Sequence, residues 1–416
     1  MEDRATADFD HHDPAFHRDR VARWAALRRC PVAYNPNYGG FWVVSGYDEV
    51  AVVSRDAETF SSKHAPAPEG GIRYLGIAGV PRSSSIPTQG IAEVEGPRHA
   101  AVRRTLNRHL APPAIARLRP LMETTATRFL DQRIETGAID LVLDFANPVP
   151  AILTMELAGL PHDGWSRYAE LFHGSVAHHP GTPEHDRAVA HAPAVVAELR
   201  DEIAARRRRR RDDLITDLVE MEVDDGTDDA RRLSDGELVA ILWNLVAGGL
   251  DTTTALTSLS LYHLDEHRDL RQRLIEAAEL LPLATDELLR YFSVNETLTR
   301  TVTRDVELGG QQLRRGDHLM LSWLSANRDE RTFARPDEVV LDRERNPHLA
   351  FGVGPHRCIG MHMARTLFQV LVREVLTRIP DYEIDRAATQ FYEGNPELNG
   401  IVRMPATFTP GVRGQI

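Results

Sequence analysis

The ten residues from Phe351 to Gly360 constrain this chain more than any other stretch, because they set one of its two cysteines among glycines and an aromatic ring. They read Phe351-Gly-Val-Gly354-Pro-His356-Arg-Cys358-Ile-Gly360. Glycine lets the backbone turn sharply or approach a flat partner without a Cβ in the way. A helix is predicted to start at residue 361, and the positive charge at its N-terminus favours a thiolate. A thiolate on such a loop suits axial ligation of a haem iron.

This pattern resembles the haem-binding signature of the bacterial, soluble cytochrome P450 monooxygenases, with every usual position filled. The resemblance implies haem b (iron protoporphyrin IX) as cofactor and Cys358 as the ligand of its iron, with Phe351, His356 and Gly360 also contacting the haem. Resemblance covers nearly the whole chain. It implies that family's fold, which is mainly α with small β-sheets, with residues 1–416 as a single large domain and a long central helix over the haem.

Composition argues against several classes of protein. The 49 basic and 61 acidic residues give a net charge of −12, which disfavours non-specific binding of nucleic acid. We find no uninterrupted run of about 18 apolar residues, so no membrane span is predicted. The polar N-terminus does not look like a signal peptide, and a cytoplasmic location is expected. The second cysteine, Cys30, is interpreted as a structural thiol without a disulfide partner.

Two further stretches are similar to sites that bind haem propionates in the family. His99 and Arg103 lie four residues apart, hence on one face of a predicted helix. Taken alone, this pair would be interpreted as part of a solvated face. The resemblance implies that both residues, together with Arg300, bind the propionates. Bidentate pairing of guanidinium with carboxylate is the physical reason for the arginines.

A capping box opens a long apolar helical pattern over residues 234–264. Inside it, Gly248 and Gly249 cost about 2 kcal/mol relative to alanines in a helix interior. The pattern therefore indicates either a close approach of another backbone or a kink. The resemblance marks this point as the oxygen-binding kink of the family. It implies that Thr252 hydrogen-bonds dioxygen and that Asp251 relays protons from solvent.

Substrate contacts are predicted mainly from the resemblance. The loop 64–90 corresponds to one that overhangs the pocket, although its composition alone equally fits a solvated loop. Asn244 lies on the same helical stripe as Gly248 and Thr252, and it would bond either the substrate or a neighbouring helix. The predicted contacts are Ile86, Leu171, Asn244, Ala247, Gly248, Val294 and Leu298.

Glu287 and Arg290 fit the family's Glu-x-x-Arg pair, which we interpret as structural support for the cysteine loop. A basic residue often completes this network where Glu338 stands here, and Arg343 is the replacement that we suggest. Val294 stands where the family often has proline, so the local shape beside the substrate is left open.

Electrons are expected from a separate ferredoxin and its reductase, because the sequence has no flavin or Gly-rich nucleotide-binding region. The run of six arginines at 206–211 is interpreted as a solvated helix end rather than a site for nucleic acid or membrane. The family fold implies that five arginines cluster on the haem-ligand side, where an acidic ferredoxin would dock: Arg103, Arg104, Arg108, Arg357 and Arg365.

The resemblance implies insertion of one oxygen atom from O2 into a mid-sized, largely apolar molecule, as in natural-product biosynthesis. Oxidative coupling, ring closure and desaturation on the same fold stay open, because they differ only in substrate pose. A haem-thiolate sensor is a third hypothesis, and the pair Asp251–Thr252 argues against it because a sensor needs no proton relay. Substrate, position of oxidation, ferredoxin and oligomeric state do not follow from the sequence.

Overall fold

The computed structural model describes residues 4–67, 71–80, 88, 90–224, 230–393 and 397–414. Within these residues the chain is mainly helical with small sheets, which confirms the predicted fold class. The helices α1 to α15 are Pro14–Arg18, Arg20–Leu27, Tyr47–Arg55, Gly96–Leu110, Pro112–Asp131, Pro148–Ala158, Trp165–Ala177, Pro183–Val189, Ala192–Arg208, Leu214–Glu220, Asp235–Glu266, Arg268–Glu276, Leu281–Phe292, Trp323–Ala326 and Met361–Arg378.

The strands are short, and within the described residues β1 to β16 are Val32–Asn35, Phe41–Val44, Phe60–Ser61, His64–Ala65, Tyr74–Leu75, Ala138–Asp140, Glu222–Val223, Arg231–Arg232, Thr297–Val302, Val306–Leu308, Gln311–Leu313, His318–Ser322, Glu383–Ile384, Gln390–Phe391, Ile401–Arg403 and Pro405–Thr407. The largest sheet has the order β1-β2-β12-β9-β3, in which only β2 and β12 are parallel. Leu319 of β12 pairs with Arg300 of β9, so this sheet fixes the backbone of Arg300.

Helix α11 is the long helix that the sequence predicts, and it starts with the predicted capping box. Ser234 Oγ accepts from the N–H of Glu237, whose carboxylate accepts from the N–H of Ser234 at 2.7 Å. The 32 residues of α11 span about 48 Å at 1.5 Å per residue. Helices α6, α7, α9 and α15 pack against it, so α11 crosses the core and carries the functional residues of its middle turns there.

Two helical segments are long and apolar enough to cross a membrane by length and composition, Leu141–Ala158 and Asp235–Glu266. The prediction of no membrane span considered only uninterrupted apolar runs, and it stays a prediction. In the structure, 78% of the apolar window in the first segment and 50% in the second are buried inside the protein. Their apolar residues are used for packing in this fold.

The arginine run at 206–211 is only partly the solvated helix end that we predict. Arg206, in the last turn of α9, has a side chain only 1% exposed. It pairs with Glu202, donates to Asp213 at 2.8 Å and donates to the carbonyl of Gly159 at 2.6 Å. The prediction was wrong for Arg206 because the two acids that satisfy it lie on neighbouring turns, which charge counting along the sequence does not reveal.

Candidate active site

The cysteine loop folds back on itself between α14 and α15. The N–H of Cys358 donates to the carbonyl of Phe351 at 2.7 Å, which closes the loop. Gly354 has a φ of +82°, and a Cβ there would come within 2.5 Å of the carbonyl oxygen of Ser54 and 2.8 Å of Arg55 Cα. Only glycine fits both the left-handed backbone and this close approach. The loop is therefore shaped by contact with the end of α3.

The sulfur of Cys358 is accessible, although the protein surrounds it closely. Burial raises the pKa of the thiol, and the N–H of Gly360 together with the charges of Arg103, Arg365 and Arg357 only partly offsets this. The N–H of Gly360 at the start of α15 does favour the thiolate, as the sequence predicts, but desolvation is the larger effect in the protein alone. A coordinated metal cation deprotonates a thiol outright, so an open, desolvated sulfur fits a metal ligand.

Four basic side chains converge beside this loop, as the sequence predicts: His99, Arg103, Arg300 and His356. The rings of His99 and His356 lie 4.5 Å apart. Arg300 is only 4% exposed, and burial lowers its pKa to about 10 against the opposing charge of Glu95. Burial, followed by the charges of the neighbouring bases, lowers the pKa of His356 to about 3.

None of these four bases forms an ion pair among the described residues. Neither Arg103 nor Arg300 forms an ion pair with a carboxylate there; each donates to a backbone carbonyl, that of Arg357 and that of Thr299 respectively. His356 Nε2 lies 3.0 Å from Ser62 Oγ, while Nδ1 is buried without a hydrogen-bond partner. Buried guanidinium groups are normally paired, so this cluster fits a ligand with two negative charges, such as the propionates of haem.

Helix α11 stays α-helical through the two glycines, which differ in their surroundings. Gly248 is exposed, and a Cβ there would meet nothing within 4 Å. A Cβ on Gly249 would lie 2.9 Å from the side chain of Thr154 on α6. Gly249 thus fits the close contact between helices, one of the two alternatives that the sequence leaves open, whereas Gly248 leaves space. Thr252, half-buried, donates from Oγ1 to the carbonyl of Gly248 at 2.6 Å.

Asp251 does not face solvent but lies in a buried cluster with two residues that the sequence analysis missed, His173 and Tyr392. Tyr392 donates to the two carboxylate oxygens at 2.9 and 2.8 Å, and His173 Nδ1 lies 2.7 Å from Oδ1. His173 Nε2 lies 3.0 Å from the carbonyl of Val402. These partners come from α7 and the C-terminal region, so no local sequence pattern signals them.

The buried carboxylate of Asp251 changes the electrostatics of both neighbours, His173 and Tyr392. Burial alone would lower the pKa of His173, but the hydrogen bond to Asp251 and its charge outweigh burial and raise it. Burial, the charge of Asp251 and the hydrogen bond to it raise the pKa of Tyr392 well above its ordinary value. The arrangement can store a proton on His173 and deliver hydrogen bonds to Asp251, one residue before Thr252.

The predicted substrate residues differ in accessibility. Leu171 and Val294 are buried in the large apolar core, while Asn244, Ala247 and Leu298 are half-buried. Ile86 lies outside the described residues. Asn244 makes an interaction within the protein, and both alternatives for its amide stay open.

The far end of the loop 64–90 lies directly against α11. A Cβ on Gly90, whose φ is +44°, would lie 3.0 Å from the Cβ of Asn244. A recess of about 230 Å³ lies at this contact, lined by Gly90, Ile91, Ala240 and Ile241 among others. Its lining does not include Thr252 or Cys358, so it is a separate space beside the loop.

Glu287 and Arg290 form a fully buried pair with two contacts of 2.8 Å. Arg343, the suggested third partner, donates from Nε to Glu287 at 2.8 Å, whereas the Glu338 carboxylate pairs with Arg335 outside the network. Burial would raise the pKa of Glu287, but hydrogen bonds from Arg290 and Arg343 outweigh it and lower the value.

This network connects physically to the cysteine loop. Arg290 also donates to the carbonyl of Asn327 at 2.9 Å. Asn327 Oδ1 accepts from the N–H of Leu349 at 2.6 Å, and the carbonyl of Leu349 accepts from the N–H of Gly352 at 2.8 Å. A continuous chain of hydrogen bonds therefore runs from α13 to the loop that holds Cys358.

The segment after α13 takes its shape from distant residues. Ser293 has a φ of +42°, in the left-handed region. The carbonyl of Val294 accepts from the N–H of Asn399 at 2.9 Å, and the buried carboxylate of Glu296 lies 2.7 Å from Arg20 Nε. The local shape that the missing proline leaves open is thus fixed by the C-terminal segment and by α2.

The five arginines proposed to receive a redox partner are not equally available. Arg104 and Arg357 are exposed, and Arg108 is exposed but lies 3.7 Å from Asp217. Arg103 is half-buried. Arg365 pairs with Asp286 at 2.7 Å and stacks over the ring of Phe351 at 4.6 Å.

Comparisons with known proteins agree with the haem-binding geometry of this site. A family profile described as Cytochrome P450 matches residues 182–379. Nocardicin C N-oxygenase of Nocardia uniformis subsp. tsuyamanensis is 33% identical over 88% of this chain and 89% of its own. Cytochrome P450 126 of Mycobacterium tuberculosis is 33% identical over 89% and 87%. The structure of Mycobacterium marinum cytochrome P450 CYP268A2 in complex with pseudoionone superposes with a TM-score of 0.85 at 26% identity, over 98% of this chain and 100% of that chain.

Proposed function

Because this chain belongs to the cytochrome P450 family of haem-dependent monooxygenases, we propose that it inserts one oxygen atom from O2 into a mid-sized, largely apolar small molecule of natural-product biosynthesis. The observation that carries the proposal is the accessible, desolvated thiol of Cys358 beside four bases without ion-pair partners among the described residues. A flat group with a metal centre and two carboxylates would provide a metal for the thiol and anionic partners for the bases.

The family uses haem b, and the residues of the cysteine loop fit it. Cys358 would ligate the iron, with Gly360 and Phe351 beside it, and the propionates would bind His99, Arg103, Arg300 and His356. When bound, the haem supplies the activation of O2, and a thiolate ligand favours cleavage of the O–O bond.

The residues of α11 and its neighbours would supply protons. Thr252 would hydrogen-bond dioxygen once its hydroxyl turns from the carbonyl of Gly248. Asp251 would take a proton from Tyr392 or His173, and the half-buried Tyr392 would in turn be reprotonated from solvent. A route through these two residues replaces the direct relay from solvent, because the carboxylate of Asp251 is buried.

The substrate would lie along the exposed stripe of α11. Gly248 leaves room there, and Ala247 with Leu298 would offer apolar contact. The similarity to an N-oxygenase of nocardicin C and to a P450 that binds pseudoionone supports a small organic substrate. Leu171 and Val294 lie in the core and would act behind this surface rather than on it.

The electron donor would be an acidic ferredoxin in the cytoplasm. Arg104, Arg357 and Arg108 are the exposed members of the arginine set and would meet it first. Arg103 and Arg365 would act mainly inside the protein, since the first donates to the backbone of Arg357 and the second pairs with Asp286.

The test is the spectrum of the reduced protein with carbon monoxide. We expect the red-shifted Soret band of a haem with a thiolate ligand. Cys358→His should abolish this band while haem is retained, and Cys30→Ser should leave it unchanged. The same band in Cys358→His would refute the assignment. A Soret-shift screen of natural-product scaffolds, followed by product analysis, would then separate oxygen insertion from coupling, ring closure or desaturation.

A further inference from the structure

The last turn of α11 carries a cluster of metal-binding side chains, His263, Glu266 and His267. Each offers one ligand atom, and the three atoms lie within 4.8 Å of one another. The two histidines are four residues apart, so they share one face of the helix, and their ring centroids are 4.2 Å apart. Imidazole nitrogen and carboxylate oxygen are ligands of Zn²⁺, and a helical His pair at this spacing is a recurrent zinc-binding arrangement.

His263 gives a second and independent reason to expect a ligand here. Its side chain belongs to a residue only 8% exposed, and its Nε2 is buried without a hydrogen-bond partner. Within the described residues, neither ring nitrogen of His263 forms a hydrogen bond. The ring packs instead against those of Tyr291 and Phe292, with centroids 5.3 and 5.9 Å away. Buried polar groups are nearly always paired, so an imidazole left in this state needs an explanation.

The carboxylate of Glu266 is only partly used by the protein. Arg386 pairs with its Oε1, and Oε2 has no partner among the described residues. Asp265, the preceding residue, faces Arg386 at 3.0 Å and Arg271 at 3.8 Å. One oxygen of Glu266 is therefore available without breaking the ion pair with Arg386.

The surrounding charges decide which class of cation fits. Asp265, Glu266 and the C-terminal end of α11 are negative, while Arg386, Arg271 and Arg328 are positive. The negative charge is thus already matched, so Ca²⁺ and Mg²⁺, which are held by oxygen ligands and charge, gain little. A borderline ion that bonds strongly to imidazole fits better.

We propose that His263, Glu266 and His267 bind one Zn²⁺ ion, with water at the fourth position. The site lies apart from the oxygen chemistry, because Thr252 lies eleven residues earlier on α11, about 16 Å away. The ion would join the last turn of α11 to its own C-cap residue, His267, and hold the buried ring of His263 in one orientation.

Calorimetric titration of ZnCl₂ into the chelator-treated, haem-loaded protein tests this site. We expect one saturable site in the wild type and at least a tenfold loss of affinity in His267→Gln. His267 is exposed, so the variant should fold normally, and Glu266→Gln should weaken binding in the same direction. His191→Gln, which removes a half-exposed histidine paired with Glu170 on another helix, should bind zinc as the wild type does.

A thermal scan gives a second readout that does not depend on enzyme activity. Zinc should raise the unfolding temperature of the wild type and of His191→Gln, and should not raise that of His267→Gln. No saturable zinc binding in the wild type, or equal binding in wild type and His267→Gln, would overturn the proposal. Neither result would bear on the cysteine loop, because the two sites share no residue.

Discussion

Two regions of this protein bury arginine in opposite ways. In the network of Glu287 and Arg290, a guanidinium with no exposed surface is met by a carboxylate and three backbone carbonyls. In the cluster around Arg300, a guanidinium that is nearly as buried donates to one carbonyl, with no carboxylate paired to it among the described residues. The first arrangement is complete as the protein stands. The second is complete only when something negative binds, which is how burial distinguishes a structural arginine from a ligand-binding one.

The largest effect is expected at the complete network. Arg290→Met should destabilise the protein by about 3–5 kcal/mol, because it leaves the buried carboxylate of Glu287 short of its main partner. Urea unfolding of the haem-free and haem-loaded protein measures this, and the loss should be similar in both. Arg335→Met, in the exposed pair with Glu338, is the control and should change stability by less than about 1 kcal/mol. A loss of stability that appears only in the haem-loaded protein would instead make Arg290 a ligand-binding arginine.

Arg300 should behave in the opposite way. Arg300→Met should leave the haem-free protein as stable as the wild type or more stable, because it removes a desolvated cation that has no ion pair. In the haem-loaded protein it should cost about 1.5–3 kcal/mol, the range of a hydrogen bond to a charged group. Unfolding measurements on both forms give the two changes in stability, and the rate of haem transfer to an acceptor protein gives a second measure of haem binding. Equal destabilisation of both forms would break the comparison.

In the cluster of Asp251, His173 and Tyr392, as in the network of Glu287 and Arg290, the charged groups are paired within the protein. The cluster also lies beside Thr252, so substitutions in it should affect both stability and turnover. His173 has a raised pKa in the folded protein, so its stabilising contribution is full below the ordinary value of 6.5 and is lost as pH rises through the folded value. His173→Gln should remove that decline, with a change of about 1 kcal/mol at low pH. Unfolding measured from pH 6 upward shows whether the slope disappears.

Turnover measurements on variants of this cluster distinguish a structural role from a role in proton delivery. Asp251→Asn should slow turnover and increase the solvent isotope effect, and Thr252→Ala should raise peroxide release for each electron consumed while substrate still binds. If both variants stay fully coupled, the cluster belongs with the structural network of Glu287. If His173→Gln alters the isotope effect as well, the proton route passes through that ring.

The smallest effect is expected at an arginine that is not buried at all. Arg104→Glu should lower the rate of electron transfer from ferredoxin at low salt and have little effect at high salt, because exposed charges are screened. Stopped-flow reduction across a range of ionic strength measures it. Arg119→Glu is the control for a change in net charge alone, because Arg119 is half-exposed on α5, where it pairs with Glu123. A salt-independent change would move the docking surface elsewhere.

The features that the sequence predicts well are those set by residues a few positions apart. The capping box of α11, the close helix contact at Gly249 and the start of α15 are local patterns, and the structure has each of them at or near the residues that signal it. The contact of Arg343 with Glu287 spans 56 residues and was reached by asking which base could replace Glu338. His173 and Tyr392 lie 78 and 141 residues from Asp251, and nothing near Asp251 indicates them. The burial of Arg206 was missed for a different reason. Its two acids lie only four and seven residues away, but a run of charges does not show that the side chain turns inward to the carbonyl of Gly159.

Gly248 also has a meaning for how this protein could be redesigned. An alanine there would meet no atom within 4 Å and would stabilise the helix by about 1 kcal/mol, so folding gives no reason to keep glycine. Under the proposed function, the side chain at residue 248 would limit the size of the substrate, and alanine, serine and valine would reduce the available space in steps. A library limited to this residue would trade the size of the accepted molecule against fold stability, while its neighbour Gly249, held against Thr154, must stay as it is.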